Sequence, residues 1–197
     1  DIGSFPERRK PLSFHCPLTE RVGVMSLNDI VGQLSRLKLA VYAPLSYILP
    51  SRMGRYEALY DTEVAGGGGR LRQVDRERSL QALMTTNLLK RLESSVESFR
   101  LTLRSLKENL DNTLSAIDSF ERRGGSMEVS DYSGNLGEFD EEDDDLEGLG
   151  EFTVGKKVQI DLTDMDVPSW KQDLGNDLFL IDDLLASMDL ITPEHDT

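Results

Sequence analysis

The chain has 197 residues, 38% of them hydrophobic and 29% charged, with a net charge of −14 and a single cysteine, Cys16. That length suffices for one domain with a real core, while the composition excludes an internal disulfide and a membrane helix, since no apolar run nears the ~20 residues a span needs. Residues 1–126 carry 19 Lys+Arg against 15 Asp+Glu and residues 127–197 carry 3 against 21, so a near-neutral, Arg-rich body is joined to a strongly acidic second part.

Phe5-Pro6-Glu7-Arg8-Arg9-Lys10-Pro11 is a basic, turn-rich entry, and Leu12, Phe14 and Cys16 then alternate as a short strand does. Ser26-Leu27-Asn28-Asp29 reads as a capping box opening a helix that carries Ile30, Leu34, Leu37 and Val41. Pro44 and Pro50 break up the next stretch. A shorter helix follows over residues 51–62, with Met53, Tyr56, Leu59 and Tyr60 as its apolar side. Gly66 to Gly69 lacks the Lys-Ser/Thr pair of a phosphate cradle and reads as a flexible linker.

The run from Asp75 to Arg123 holds no proline or glycine, so it predicts one helix roughly 70 Å long, stopped by Gly124-Gly125. Leu92, Val96, Phe99, Leu103, Leu106 and Leu110 alternate steps of four and three, as a coiled-coil seam does. Two fours in succession, to Leu114, predict a stutter before Ile117. Residues 124–151, with the run Asp140 to Asp145, bury too little apolar surface to offset their ordering entropy and are expected to be disordered. Val158, Ile160 and Leu162 suggest a second short strand. A last helix over residues 168–190 has a stripe of Trp170, Leu174, Leu178, Ile181, Leu185 and Met188, which seeks a partner on the long helix.

The expected fold class is therefore mainly α. It is a long antiparallel helical hairpin or bundle with one or two short β-strands near the ends and a disordered acidic insert. Residues 1–123 would supply the entry strand, short helices and long helix, residues 124–151 the insert, and residues 152–197 the short strand and return helix, all in one structural domain. Asp1 is no initiator methionine, and Thr192-Pro193-Glu194 announces a helix just before the end, so the expectation is a segment of a longer polypeptide. The start lacks a basic stretch followed by an apolar one, which with the lone cysteine fits a cytoplasmic setting.

No catalytic constellation emerges. His15-Cys16 lacks the four spaced ligands of a zinc site, and no serine has a His/Asp partner set. Asp161, Asp164 and Asp166 lack the glycine and terminal Glu of a calcium loop. Arg100, Arg104 and Lys107 share a helix face. They read either as phosphate contacts or as an ion-pair ladder with Glu97 and Glu108, and the ladder is favoured.

The stretch Leu88-Leu89-Lys90-Arg91-Leu92-Glu93-Ser94-Ser95-Val96-Glu97-Ser98-Phe99-Arg100-Leu101-Thr102-Leu103 resembles a segment between the two motor lobes of large bacterial superfamily-two helicases of the Swi/Snf-like type. Arg55-Tyr56-Glu57-Ala58-Leu59-Tyr60-Asp61, Asp75-Arg76-Glu77, Phe5-Pro6-Glu7-Arg8-Arg9, Lys171-Gln172-Asp173-Leu174 and Ile191-Thr192-Pro193-Glu194 fit the same context. The resemblance implies a parent that uses ATP and Mg to move on DNA or another nucleic acid. This chain holds no P-loop and no Asp-Glu-x-His box, so it carries no catalytic, cofactor-binding or metal residue of that parent. Its expected role is a non-catalytic connector whose partners are the motor lobes of the same polypeptide. Lys90, Arg91, Arg100 and Arg104 are its candidate nucleic-acid contacts. The alternative is a free-standing coiled-coil adaptor with an acidic tail. On an isolated segment an exposed seam would also drive self-association.

Overall fold

The computed structural model describes residues 23–63, 70–124 and 160–191. The strand expected at Leu12–Cys16, the glycine run and the acidic insert beyond Gly124 lie outside the described residues. Within them the protein is mainly helical, with five α-helices: α1 (Leu27–Leu34), α2 (Pro50–Tyr60), α3 (Gln73–Ser94), α4 (Val96–Arg122) and α5 (Val167–Met188). The only ladder described is a two-residue ribbon, β1 (Thr62–Glu63) against β2 (Arg70–Leu71), antiparallel with Thr62 opposite Leu71. None of the described helices is long and apolar enough to cross a membrane.

α1 begins on the capping box. The Ser26 hydroxyl accepts from Asp29 N, and the Asp29 carboxylate accepts from Ser26 N. The helix stops at Leu34, earlier than the apolar periodicity predicts. Leu37 and Val41 belong instead to an irregular stretch, 37–49, that contains 3-10 turns at Ala40–Tyr42 and Pro44–Tyr47. α2 starts with Pro50 at its first position, where a missing N–H removes no intrahelical bond. It buries Tyr56, whereas Leu59, placed by sequence on the apolar side, is exposed.

The single long helix predicted over residues 75–123 is two helices. Ser95 is extended, at φ −166° and ψ 150°, and its hydroxyl accepts from Ser98 N at 3.0 Å. Serine competes for helical N–H groups and is a strong N-cap, so Ser94-Ser95 with Glu97 in the following first turn is a start signal inside an apparently continuous run. The stutter also disappears. The buried positions of α4 run Val96, Phe99, Leu103, Leu106, Leu110, Thr113, Ile117 and Phe120, an unbroken alternation of three and four. Thr113 takes the seam position assigned to Leu114, and its hydroxyl donates to Asn109 O at 2.7 Å, which satisfies it without leaving the helix.

α5 is buried on more than one side, through Trp170, Leu174, Asp177, Leu180, Ile181, Leu184, Leu185, Ser187 and Met188. It packs on α4 on one side and on α1 and the 40–47 turns on the other. Asp166 caps it by accepting from Ser169 N. The strand suggested by Val158, Ile160 and Leu162 is not formed over its described part. Leu162–Asp164 is a 3-10 turn, and the one bridge nearby joins Met165 to Ile48.

Candidate functional site

Charged side chains lie along the α4/α5 contact. Lys171 near the start of α5 meets Asp118 (2.7 Å) and Glu121 (2.5 Å) near the end of α4. Lys107 reaches Asp182. Arg104 reaches Asp189 at 3.0 Å. Residue numbers rise along α5 as they fall along α4. Contact with these acids holds the Lys107 and Lys171 ammonium groups above their ordinary range, and Lys171 holds the Asp118 carboxyl below its own.

Arg100 stands apart from its neighbours. Its side chain is only 14% exposed. One Nη donates to Glu97 at 2.6 Å, and the other donates to Met188 O (2.7 Å) and Ile191 O (2.8 Å). It thereby caps the last carbonyl of α5 and ties down Ile191 just beyond it, where a cation also meets the negative end of the helix dipole. Its Nε lies 3.3 Å from Asp189 Oδ1 without being aimed at it, so that contact is an ion pair and not a hydrogen bond.

The four side chains singled out for nucleic-acid contact are therefore not equivalent. Arg100 and Arg104 converge on Asp189. Glu97 pairs with Arg100 as the spacing predicts, but Arg104 takes Asp189 and not Glu108. Lys90 and Arg91 sit on α3, ahead of the break at Ser95, so they share no continuous helix face with the other two. Lys90 is exposed, and Arg91 is half-buried with Nη1 3.4 Å from Ser98 Oγ across the break.

A second polar constellation escaped sequence reasoning. The irregular 37–49 stretch is buried at Leu39, Ala40, Val41, Tyr42, Ala43, Leu45 and Ile48, and its short 3-10 turns satisfy only some of its backbone groups. Side chains from two helices meet others. Asp177 of α5, 1% exposed, accepts from Lys38 N (2.7 Å) and Ala40 N (2.8 Å). Glu77 of α3 accepts from Leu45 N at 3.0 Å. Gln81 donates to Lys38 O, and the Trp170 indole donates to Ala40 O at 3.0 Å. Between the two amides bound by Asp177, Leu39 adopts a left-handed conformation, φ 50° and ψ 44°. That conformation costs about 1–2 kcal/mol in a non-glycine residue. Burying the leucine side chain returns about 1.5–3 kcal/mol, which offsets it.

Nearby, Lys38 Nζ and the Tyr47 hydroxyl both bind Asp173, and burial together with Asp173 pushes the Tyr47 phenol up. Asp164, placed by sequence in a possible cation cluster, takes Arg52, Arg55 and the Tyr56 hydroxyl. Asp161 binds Thr163 and Asp166 caps α5, so the three carboxylates point to three different tasks. Asp61 closes the gap between α2 and α3 by accepting from Gln73 N at 2.9 Å, the cap that Arg72 cannot supply. Among the described residues no group of His, Cys, Asp and Glu is arranged to hold a metal ion.

No family model matches the chain, and neither a curated protein nor a solved structure does.

Proposed function

We propose that the chain is a non-catalytic helical connector between the two motor lobes of an ATP-driven helicase or nucleic-acid translocase of the Swi/Snf-like type. The wording of residues 88–103 supports the setting. The observation that carries the mechanical part is the bracing of α5 on α4. An unbroken apolar seam is flanked by Lys171–Asp118, Lys107–Asp182 and Arg104–Asp189, and Arg100 fastens the α5 terminus. A connector transmits motion only if its helices do not slide, and periodic packing with a polar lock at one end opposes sliding. In this reading α4 and α5 form an antiparallel hairpin and the acidic segment is its loop. ATP and Mg belong to the lobes of the parent.

Contact with the nucleic acid along the motor path falls on Lys90, Arg91 and Arg104. The Arg100 donors are committed to protein oxygens, and turning them to phosphate would uncap α5.

An electrophoretic-mobility titration with duplex DNA and with RNA tests this. Binding should weaken steeply between low and moderate salt, and Lys90→Ala with Arg91→Ala should reduce both the affinity and the salt slope. Affinity unchanged in the triple variant with Arg104→Ala would remove the contact assignment. The connector role is tested by the adjacent coding sequence. ATPase motifs on both sides support it, and stop and start codons leave a free-standing coiled-coil adaptor.

A further inference from the structure

Two carboxylates hold the 37–49 stretch, and they differ in support. Asp177 accepts two backbone N–H groups and has Lys38 near it. Glu77 is 5% exposed and has Leu45 N–H at 3.0 Å. Among the described residues no Lys or Arg forms an ion pair with it. Burial and the Leu45 N–H are what act on its carboxyl, and the cations of the neighbouring α4, Arg100, Arg104 and Lys107, turn to Glu97, Asp189 and Asp182. A buried carboxylate without a cation is unfavourable, and one hydrogen bond returns less than the burial of its charge costs.

We propose that Glu77 is a proton-dependent latch that, when protonated, seats the 40–47 turns on α3 and, when ionised, releases them from the first turns of α3 while Asp177 keeps them on α5. The neutral carboxyl still accepts the Leu45 N–H through its carbonyl oxygen. The ionised group needs water, which it reaches only if the turns and α3 separate. Leu39, already in a left-handed conformation between the two amides held by Asp177, is the point about which the stretch relaxes.

Burial pushes the Glu77 carboxyl up to about 8, against the weaker opposing pull of the Leu45 N–H. In the released state it titrates near its ordinary value of 4.5. Between those values the seated form holds a proton that the released form lacks. Seating is therefore strongest at low pH, weakens as pH rises through the window, and levels off above the upper value.

Hydrogen exchange of the full chain, corrected for the intrinsic rate, tests the latch from pH 5.5 to 9. In the wild type the opening constant at the amides of Leu45 and of residues 77–81 should rise by up to about tenfold per pH unit and flatten near the top of the window. Glu77→Gln keeps an acceptor for Leu45 and cannot ionise, so its profile should be flat by comparison, with Asp177 unchanged in both proteins. Parallel profiles for the two proteins overturn the proposal. A carbon-13 titration of the Glu77 carboxyl in the wild type decides independently of how the variant folds. A midpoint in the ordinary glutamate range overturns the latch, and one raised by more than two pH units supports it.

Discussion

The α4/α5 seam and the 37–49 stretch are both buried, yet they are held by opposite means. In the seam the amides of the helix interiors are spent on their own helices, so side-chain packing, flanked by ion pairs, joins the elements. Phe99, Leu103, Leu106 and Leu110 do this from α4, and Trp170, Leu174, Ile181 and Leu185 from α5. The 37–49 stretch has only short 3-10 turns, so its remaining polar groups are met one at a time: Asp177 and Glu77 accept from backbone N–H groups, and Gln81 and the Trp170 indole N–H donate to the Lys38 and Ala40 carbonyls. Apolar packing tolerates small adjustments because it is non-directional. A carboxylate matched to two amides does not, because an unpaired buried donor costs its full desolvation.

Deleting the largest buried seam residue of α4 should have the largest effect. Phe99 is fully buried, and Phe99→Ala should lower stability by about 3–5 kcal/mol in urea unfolding, with the denaturant slope unchanged if the two-state description holds. Asp177→Ala should come next, at about 2–4 kcal/mol, because it strands the Lys38 and Ala40 amides while removing little apolar surface. A loss below about 1 kcal/mol there would break the contrast, since water would then be satisfying both amides. The smallest effects belong to the outer charges, and they should not be equal. Arg100→Ala should cost about 2 kcal/mol because the Met188 carbonyl at the end of α5 and the Ile191 carbonyl just beyond it lose their donor. Arg104→Ala, at a half-exposed side chain, should cost less than about 1 kcal/mol. Thermal unfolding of the pair compares them directly, and equal losses would mean that Arg100 acts as an ordinary surface cation.

The legibility of the two regions in the sequence follows the same division. A seam repeats, so Val96 to Ile117 and Trp170 to Met188 announce their buried faces through spacing alone. Where that reading slipped, a polar residue occupied an apolar position. Thr113 sits in the seam because its hydroxyl is satisfied by Asn109 O, and a rule that counts only apolar residues moves the register to Leu114. Ser95 slipped for a related reason. Serine is tolerated inside a helix and preferred at its start, and only the first-turn Glu97 tips the balance. The carboxylate clamp had no local signature. Asp177 lies 139 positions from Lys38, and nothing in the periodicity of α5 marks an aspartate that points inward as different from one that points to water.

By itself the sequence determined what local chemistry determines: the capping box at Ser26, the short helix after Pro50, the apolar faces of α4 and α5, and the pairing of Glu97 with Arg100 three residues on. Tertiary structure decided the rest. It divided the long run at Ser95, turned Arg104 to Asp189, sent Arg100 to the end of α5, and gave Asp177 and Glu77 to amides far away in the chain. The physical reason is range. Helix propensity and capping act within a turn or two of the chain, whereas the cost of an unsatisfied buried amide or carboxylate is set by whatever the fold brings within 3 Å of it.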